Sequence, residues 1–317
     1  MSWLDVLRAD PLPWLLGEDD PSIRYRTLLE LLDHPADDAQ VLLAREAITS
    51  HPPIVALLTA QKEGGYWVKR DYYLPKHYGT FWTLSLLADM GLTAENQHIA
   101  RACEFMFTFQ RENGAFCRKR RVAGKGIVWS DEPEPCTHAR ILRFLIQFGY
   151  GQDPRARHGI DWLLTVQRAD GMWDCGRPER PGCLRATLDV LRVAALDAKA
   201  AIHPAVVRGA ERFSDLLMER GMGKFHVGIP WTVFQYPYFD YGLIPTLDSL
   251  GRLGYTPEHP KIAAAVDYLL GRQQPDGTWH LDHVPYRPPL DTGQPGQPNK
   301  WITLDALRAL KQLLGNG

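Results

Sequence analysis

Several absences bound what this chain of 317 residues can be. No apolar run approaches the roughly 18 residues that a membrane-spanning helix needs, so no integral membrane segment is expected. Neither sign of charge prevails, with 36 Lys and Arg against 37 Asp and Glu. That balance removes the electrostatic case for nucleic acid as a partner. The start of the chain, Met1 to Arg8, lacks the basic residues and apolar stretch of a secretory leader. The five cysteines are an odd number in a long chain. They predict free thiols in a reducing cytoplasm rather than a disulfide framework. Strand-like alternation of any useful length is missing as well.

What is present is a recurring turn. Gln167-Arg168-Ala169-Asp170-Gly171-Met172-Trp173 reads Q-x-x-D-G-x-W, and Gln273 to Trp279 repeats it. Gln61 to Trp67 is a near copy, and Gln110 to Phe116 keeps the frame with Asn113 for Asp and Phe116 for Trp. The closing aromatics fall at 67, 116, 173 and 279, in steps of 49, 57 and 106. The last step is twice the others and predicts a worn copy at Gly223-Lys224-Phe225. A period of roughly 50 residues signals a repeat architecture.

The stretches between the turns alternate in kind. Apolar helices are predicted near 22–33, 78–90, 137–148, 184–196, 241–252 and 301–314. One-faced helices are predicted near 53–61, 95–110, 155–167, 204–220 and 259–273, with another helix near 37–49. Gly91, Gly149 and Gly254 stand where a helix C-terminus favours a left-handed residue. Asp153-Pro154, His203-Pro204 and His259-Pro260 restart the chain with proline in a first helical turn. Helices apolar all round belong inside and one-faced helices outside. The N-terminal region supplies the missing sixth partner, so the expected fold is all-α, an (α/α)6 barrel or toroid. It is expected as a single domain over 1–317, with 1–50 completing the barrel and 51–317 carrying the repeats.

The motif with this helical pairing resembles the QW repeats of squalene–hopene and oxidosqualene cyclases. More broadly it is similar to the prenyltransferase and squalene-cyclase superfamily, over about residues 50–317. The resemblance implies an α/α toroid in which the glutamine caps helix ends and the tryptophan ties adjacent helix pairs. The residues agree: each glutamine ends a one-faced helix, where free carbonyls need donors, and Asp-Gly makes a tight turn. The motif is therefore read as structural. The family's chemical signatures differ from what is here. The D-x-D-D acid of the class II cyclases is missing. The zinc-binding D-x-C of the prenyltransferases has Glu134-Pro135-Cys136 as its nearest match. The D-D-x-x-D magnesium motif is reduced to Asp19-Asp20. Zinc or magnesium is thus a weak expectation as cofactor.

Loop lengths choose a functional face. Connections from motif to apolar helix are long (68–77, 117–136, 174–183, 226–240 and 280–300), and long loops on a rigid scaffold are where binding sits. The basic run Arg118, Arg120, Arg121 and Lys125 suits an anionic head group, or else a solvated loop. Trp231, Tyr236, Tyr238 and Tyr241, with Tyr72, Tyr73, Trp129, Tyr286 and Trp301, suit an apolar substrate or carbocation, or else packing at a rim. His77, Cys136, His138, Cys183 and Asp240 fall near helix starts. Aligning those helices on Leu84, Leu142, Leu188 and Leu247 places all but His138 five to seven residues ahead of the reference. Acid, base or thiol catalysis is one reading of this set, and structural capping is another. Metal ligation by Cys136, His138, Cys183 and Asp240 is a third.

Asp189, Asp248 and Asp305 share the frame T-L-D-x-L, with Arg143 and Ser85 in the matching places of other turns. Their recurrence favours a structural role between neighbouring helices over a cavity acid. His280, Asp282 and His283 could bind a metal or form a polar turn. The Pro-rich segment 285–298 is expected to lie as a cover.

The expected function is a terpenoid cyclase-like or prenyltransferase-like protein that takes an isoprenoid or other small apolar ligand. Asp240 would supply the acid, the aromatics would hold the chain and the basic run would hold an anionic head. One alternative is a carbohydrate-active (α/α)6 enzyme using Asp131, Glu132, Asp240 and His226. The other is a non-catalytic protein-binding toroid. Oligomeric state and any partner subunit are not legible.

Overall fold

The computed structural model describes residues 2–315 apart from 123–125, 130–131, 176–181, 220–230, 239–240 and 287, and gives the backbone alone for 119–122 and 126–129. Among those expectations, the worn copy at 223–225, Lys125, Asp131, His226 and Asp240 lie outside the described residues.

In chain order the helices are α1 (Leu12–Leu15), α2 (Pro21–Arg26), α3 (Ala39–Ser50), α4 (Pro52–Thr59), α5 (Thr80–Asp89), α6 (Gln97–Phe107) and α7 (Pro135–Gln147). They continue with α8 (Pro154–Thr165), α9 (Leu184–Ala194), α10 (Ala198–Ala201), α11 (Pro204–Asp215), α12 (Leu243–Arg252), α13 (Pro260–Gly271) and α14 (Lys300–Leu314). The helix expected over 22–33 is α2 running on into a π-helical turn, Thr27–Leu31. The class is all-α, built of paired helices, as the alternation predicts. A small hairpin departs from that expectation: β1 (Lys119–Val122) pairs antiparallel with β2 (Gly126–Trp129). Its strands are four residues each, the first a basic run, Lys-Arg-Arg-Val, and the second Gly-Ile-Val-Trp, so neither alternates apolar with polar residues. No single helix among the described residues is long and apolar enough to cross a membrane.

Helix boundaries follow from local chemistry. Asp20, Asp38, Asn96, Asp153 and Asn299 cap their helices by accepting backbone N–H bonds. Gly91, Gly149 and Gly254 have φ of +89°, +103° and +87°, the left-handed termini expected of them. Burial sorts the helices as their patterns dictate. In α5 every residue except Ser85 is buried, whereas α13 buries one face through Ile262, Ala265, Val266 and Leu269.

The chain divides into two compact units, Val55–Phe213 and the paired segments Met1–Ile54 with Ser214–Gly317. Within Val55–Phe213, α7 packs against both α5 and α9. Its motif turns are bonded alike. The indole nitrogens of Trp67 and Trp173 donate to the carbonyls ten residues earlier, Leu57 at 2.7 Å and Leu163 at 2.9 Å. The backbone N–H of the closing aromatic donates into the start of the next apolar helix. Trp67 reaches Thr80 Oγ1, Phe116 reaches His138 Nδ1 and Trp173 reaches Thr187 Oγ1, each at 3.1 Å.

The motif glutamines reach the first turn of the following one-faced helix. Gln61 donates to the carbonyl of His98 at 2.7 Å, Gln110 to that of Arg155 at 2.8 Å and Gln167 to that of Ala205 at 2.6 Å. The turn demands glycine twice over. Gly65 and Gly114 have φ of +81° and +86°, and a Cβ there would lie 2.5 Å from Arg101 O and 2.6 Å from His158 O.

The second unit uses the same bonds with one substitution. Trp279 donates its indole N–H to Leu269 O at 2.8 Å and its backbone N–H to Thr303 Oγ1 at 3.0 Å. Gln273, however, donates to the carbonyl of Ala9 at 3.2 Å and accepts from Arg8 N at 2.8 Å. The start of the chain thus receives the last motif, in the place that a one-faced helix holds elsewhere. In this unit α12 and α14 pack side by side, and α14 also meets the π-helical turn.

Buried ion pairs tie the apolar helices within each unit. Arg140 on α7 makes two 3.1 Å bonds to Asp189 on α9, and Arg143 binds Asp89 on α5 at 2.8 Å. Arg308 on α14 contacts Asp248 on α12, Asp305 and Glu30, at 3.1, 2.7 and 2.6 Å. These three carboxylates hold the Arg308 guanidinium well above its ordinary pKa against the opposing effect of burial. The structural role expected for Asp189, Asp248 and Asp305 is the one found.

Candidate functional site

The bonds from motif to helix fix a register that leucine alignment misses by one turn. Thr80, His138, Thr187 and Thr303 occupy one equivalent position, so Leu191, not Leu188, matches Leu84 and Leu142. Two residues onward stand Trp82, Arg140, Asp189 and Asp305. The counterpart of Asp189 on α7 is therefore Arg140, which is also its salt-bridge partner, and not Arg143.

This register also reassigns His138. The ring is fully buried, accepts from Phe116 N and lies 2.8 Å from Gly159 O through Nε2. Those partners require the neutral tautomer with its hydrogen on Nε2. Burial depresses its pKa to about 4 although the Gly159 carbonyl favours the charged form. With both nitrogens committed, His138 serves as the second turn's substitute for threonine.

In Val55–Phe213 the long loops converge at the starts of α7 and α9. Arg118, just after the second motif, forms a two-pronged pair with Glu134, the α7 N-cap, at 2.6 and 2.8 Å. Its guanidinium lies 4.4 Å from the centre of the Tyr73 ring, on the loop before α5. Tyr73 is buried, which raises its phenol pKa, and it packs against Phe81 and Trp82. Neighbouring Tyr72 is fully buried with a hydroxyl that has no hydrogen-bond partner.

Thiols stand at the starts of α7 and α9 and on the loop between the third motif and α9. Cys136 sits in the first turn of α7, and Cys183 is the α9 N-cap, accepting from Ala186 N at 3.4 Å. Cys175, from the connection between the third motif and α9, is partly buried. Interaction with Cys175 and with the Arg185 guanidinium holds the Cys136 thiol below its ordinary pKa despite burial. Interaction with Cys136 and Cys183, with burial, pushes the Cys175 thiol up. Cys175 carries no motif and has no constant spacing to its partners, so sequence reasoning missed it.

The remaining nominated residues fall as follows. His77 packs on Trp82 with ring centres 4.7 Å apart, and burial and Lys76 lower its pKa. Arg120, Arg121 and Trp129 lie on the hairpin strands. In the other unit the aromatics gather between the loops that precede α12 and α14. Tyr236 stacks on Trp301 with ring centres 5.0 Å apart and planes within 4°, and Tyr238 meets Tyr236 edge-on. Trp231 meets Tyr241 edge-on at 4.7 Å. Beside them, Gln235 is buried with both side-chain amide atoms unpartnered. Asp282 binds Arg272 and accepts from Phe234 N at 2.8 Å, so it anchors the loop as part of a polar turn. The Pro-rich segment borders a cleft of about 690 Å3 lined by Val284, Tyr286, Leu290 and Thr292 among others.

The family resemblance raises zinc, and the described residues do not fit it. His138 has no free nitrogen, and no group of three or more Cys, His, Asp or Glu among the described residues has an arrangement that could hold a metal ion.

Comparisons with known proteins extend this picture. A model of the squalene-hopene cyclase C-terminal domain matches residues 28–186. No curated protein matches the chain. Among solved structures, a protein from Actinoplanes is 17% identical, with 93% of this chain and 89% of that one covered and a TM-score of 0.46. The type II terpene cyclase MstE from Scytonema, in complex with merosterolic acid A (product), is 16% identical over 85% of this chain and 97% of its own, with a TM-score of 0.33. The same cyclase in complex with geranylgeranyl dihydroxybenzoate (substrate) is 16% identical over 84% and 97%, with a TM-score of 0.32. With half of its length matched by the family model, the chain belongs to the squalene-hopene cyclase C-terminal domain family.

Proposed function

We propose that this terpenoid cyclase-like protein binds an isoprenoid or comparable apolar chain, held by the aromatics that its long loops bring together. In this reading the protein works in the cytoplasm. The observation that carries it is the aromatic set Tyr236, Tyr238 and Trp301 at the loop ends of α12 and α14. Stacked and edge-on rings present apolar faces that suit unsaturated hydrocarbon. Family membership supplies the substrate class.

The same reading assigns the polar groups. Within Val55–Phe213, Arg118, already aligned by Glu134, would receive an anionic group. A carboxyl must be protonated to start a cyclisation, and the described loop carboxyls are poorly placed for that. Glu134 is paired with Arg118, Asp282 with Arg272, and Asp71 accepts from the backbone of Tyr73 and Leu74. This reading gives the acid role to Asp240. The Pro-rich segment 285–298 acts as the cover, and its limited proteolysis should slow when ligand is bound.

Organic extraction of the purified protein followed by mass spectrometry tests the reading. An isoprenoid near one equivalent is the expected result. An extract without lipid, from protein that also fails to bind added geranylgeranyl diphosphate, contradicts it.

A further inference from the structure

Among the described residues of the unit formed by Met1–Ile54 and Ser214–Gly317, the buried side-chain amides are Gln235, Gln273 and Asn299. Two of them are bonded at both ends. Gln273 accepts from Arg8 N and donates to the carbonyls of Ala9 and Gly277. Asn299 accepts from Ile302 N at 3.0 Å and donates to Thr292 O at 2.7 Å. Gln235 is 1% exposed, yet neither its Oε1 nor its Nε2 has a hydrogen-bond partner among the described residues. Folded chains rarely leave a buried amide so, because both atoms give up water and receive nothing in return.

No structural demand accounts for this amide. Gln273 closes a motif turn and Asn299 caps α14, whereas Gln235 stands on the loop before α12 and does neither. The backbone holds it in place from both sides. Phe234 donates its N–H to Asp282, and its carbonyl accepts from Asp282 N at 2.8 Å and His283 N at 3.2 Å. Tyr236 donates its N–H to His283 O at 3.4 Å and stacks its ring on Trp301. His283, paired with Gln235, precedes Val284 on the wall of the cleft of about 690 Å3. A polar group that the fold does not use is therefore fixed inside the loops that carry the aromatic set.

We propose that Gln235 is a specificity-determining residue that reads a neutral hydroxyl on the isoprenoid ligand. The proposal rests on the isoprenoid reading above and narrows it to an isoprenoid alcohol. The contact is separate from the anionic group assigned to Arg118. A carboxamide offers a donor at Nε2 and an acceptor at Oε1. A hydroxyl answers both, since its oxygen accepts from Nε2 and its hydrogen is donated to Oε1. An anionic oxygen answers only the donor. A hydrocarbon answers neither and keeps the amide buried and unbonded, so a site of this kind discriminates strongly against the analogue that lacks the group.

The test uses the full chain, incubated in mild detergent with equal amounts of geranylgeraniol and the hydrocarbon that lacks its hydroxyl. The protein is re-isolated and extracted, and both lipids are quantified by mass spectrometry. Wild type should favour the alcohol. Gln235→Leu should lower the alcohol-to-hydrocarbon ratio about tenfold, through loss of two hydrogen bonds, while retaining the hydrocarbon at least as well. Gln235→Met, closer in shape to glutamine, should do the same. Neither variant should melt below wild type in the absence of ligand, because the amide has no bond to lose. An unchanged ratio in a folded variant would overturn the proposal. So would a lower melting temperature in both variants, which would show the amide bonded within the protein. Wild type that retains neither lipid, and no geranylgeranyl diphosphate, would overturn the isoprenoid reading and this proposal with it. An unchanged ratio with both lipids retained would remove the hydroxyl assignment alone.

Discussion

At the motif turns, Trp67, Trp173 and Trp279 each donate an indole hydrogen to the carbonyl ten residues earlier, and each backbone N–H meets a threonine. The loops launched from these three turns and from the Phe116 turn share no such pattern. One carries Tyr72 and Tyr73, the next Arg118 and a hairpin, the third Cys175, and the last Asp282 and a Pro-rich cleft. Identical joints followed by dissimilar loops separate two demands on one chain. Helix pairs can be held together in only a few ways, and that solution recurs. A ligand meets each loop at a different place, so there the residues diverge.

Substitutions at the joints should therefore cost stability, and substitutions at the loops should cost binding. Trp173→Ala sharpens that contrast most. It removes a fully buried ring and its bond to Leu163, and should destabilise by about 4 kcal/mol in denaturant unfolding. A loss below about 1 kcal/mol would break the comparison.

Asp189→Ala comes next. It strands the buried Arg140 guanidinium and should cost about 3 kcal/mol. Replacing Arg140 by Leu in the same protein should recover much of that loss, and a purely additive double mutant would contradict the pairing.

His138→Thr converts the odd joint to the common one and changes a pH dependence. The folded ring titrates near 4, below its ordinary 6.5, because burial penalises the imidazolium. Its contribution is full above about pH 6.5 and falls away as pH drops toward 4, by up to about 3 kcal/mol. Thermal unfolding of wild type and variant across that range should show their stability difference shifting in the variant's favour as pH falls. A constant difference would mean that the ring titrates alike in both states.

The smallest stability change is expected at Arg118→Ala, about 1 kcal/mol or less for a partly exposed pair. The same variant should bind geranylgeranyl diphosphate at least about tenfold more weakly, because a charge-assisted contact to phosphate is lost. A variant that unfolds readily yet binds normally would place Arg118 with the joints.

Much of the fold was legible because periodicity reports it. The glycine and proline stops bounded the helices to within a few residues, and the recurring Gln, Gly and Trp located the joints. The hairpin at 119–129 escaped because a four-residue strand of basic residues has no alternation to detect. His138 escaped because leucines recur along an apolar helix, leaving its register uncertain by a turn until a hydrogen bond fixes it. Asp189 announced itself by repetition, but its partner depends on which residue of α7 lies opposite. Cys136 and Cys183 drew notice as helix-start thiols. Cys175 did not, since it carries no motif and stands at no helix start.

Amide hydrogen exchange with and without geranylgeranyl diphosphate tests the division of labour most directly. The account predicts slowed exchange at 68–77, 117–122, 231–238 and 280–299, with the turns at 61–67, 110–116, 167–173 and 273–279 unchanged. Protection centred on the motif turns, or no protection anywhere at saturating ligand, would contradict it.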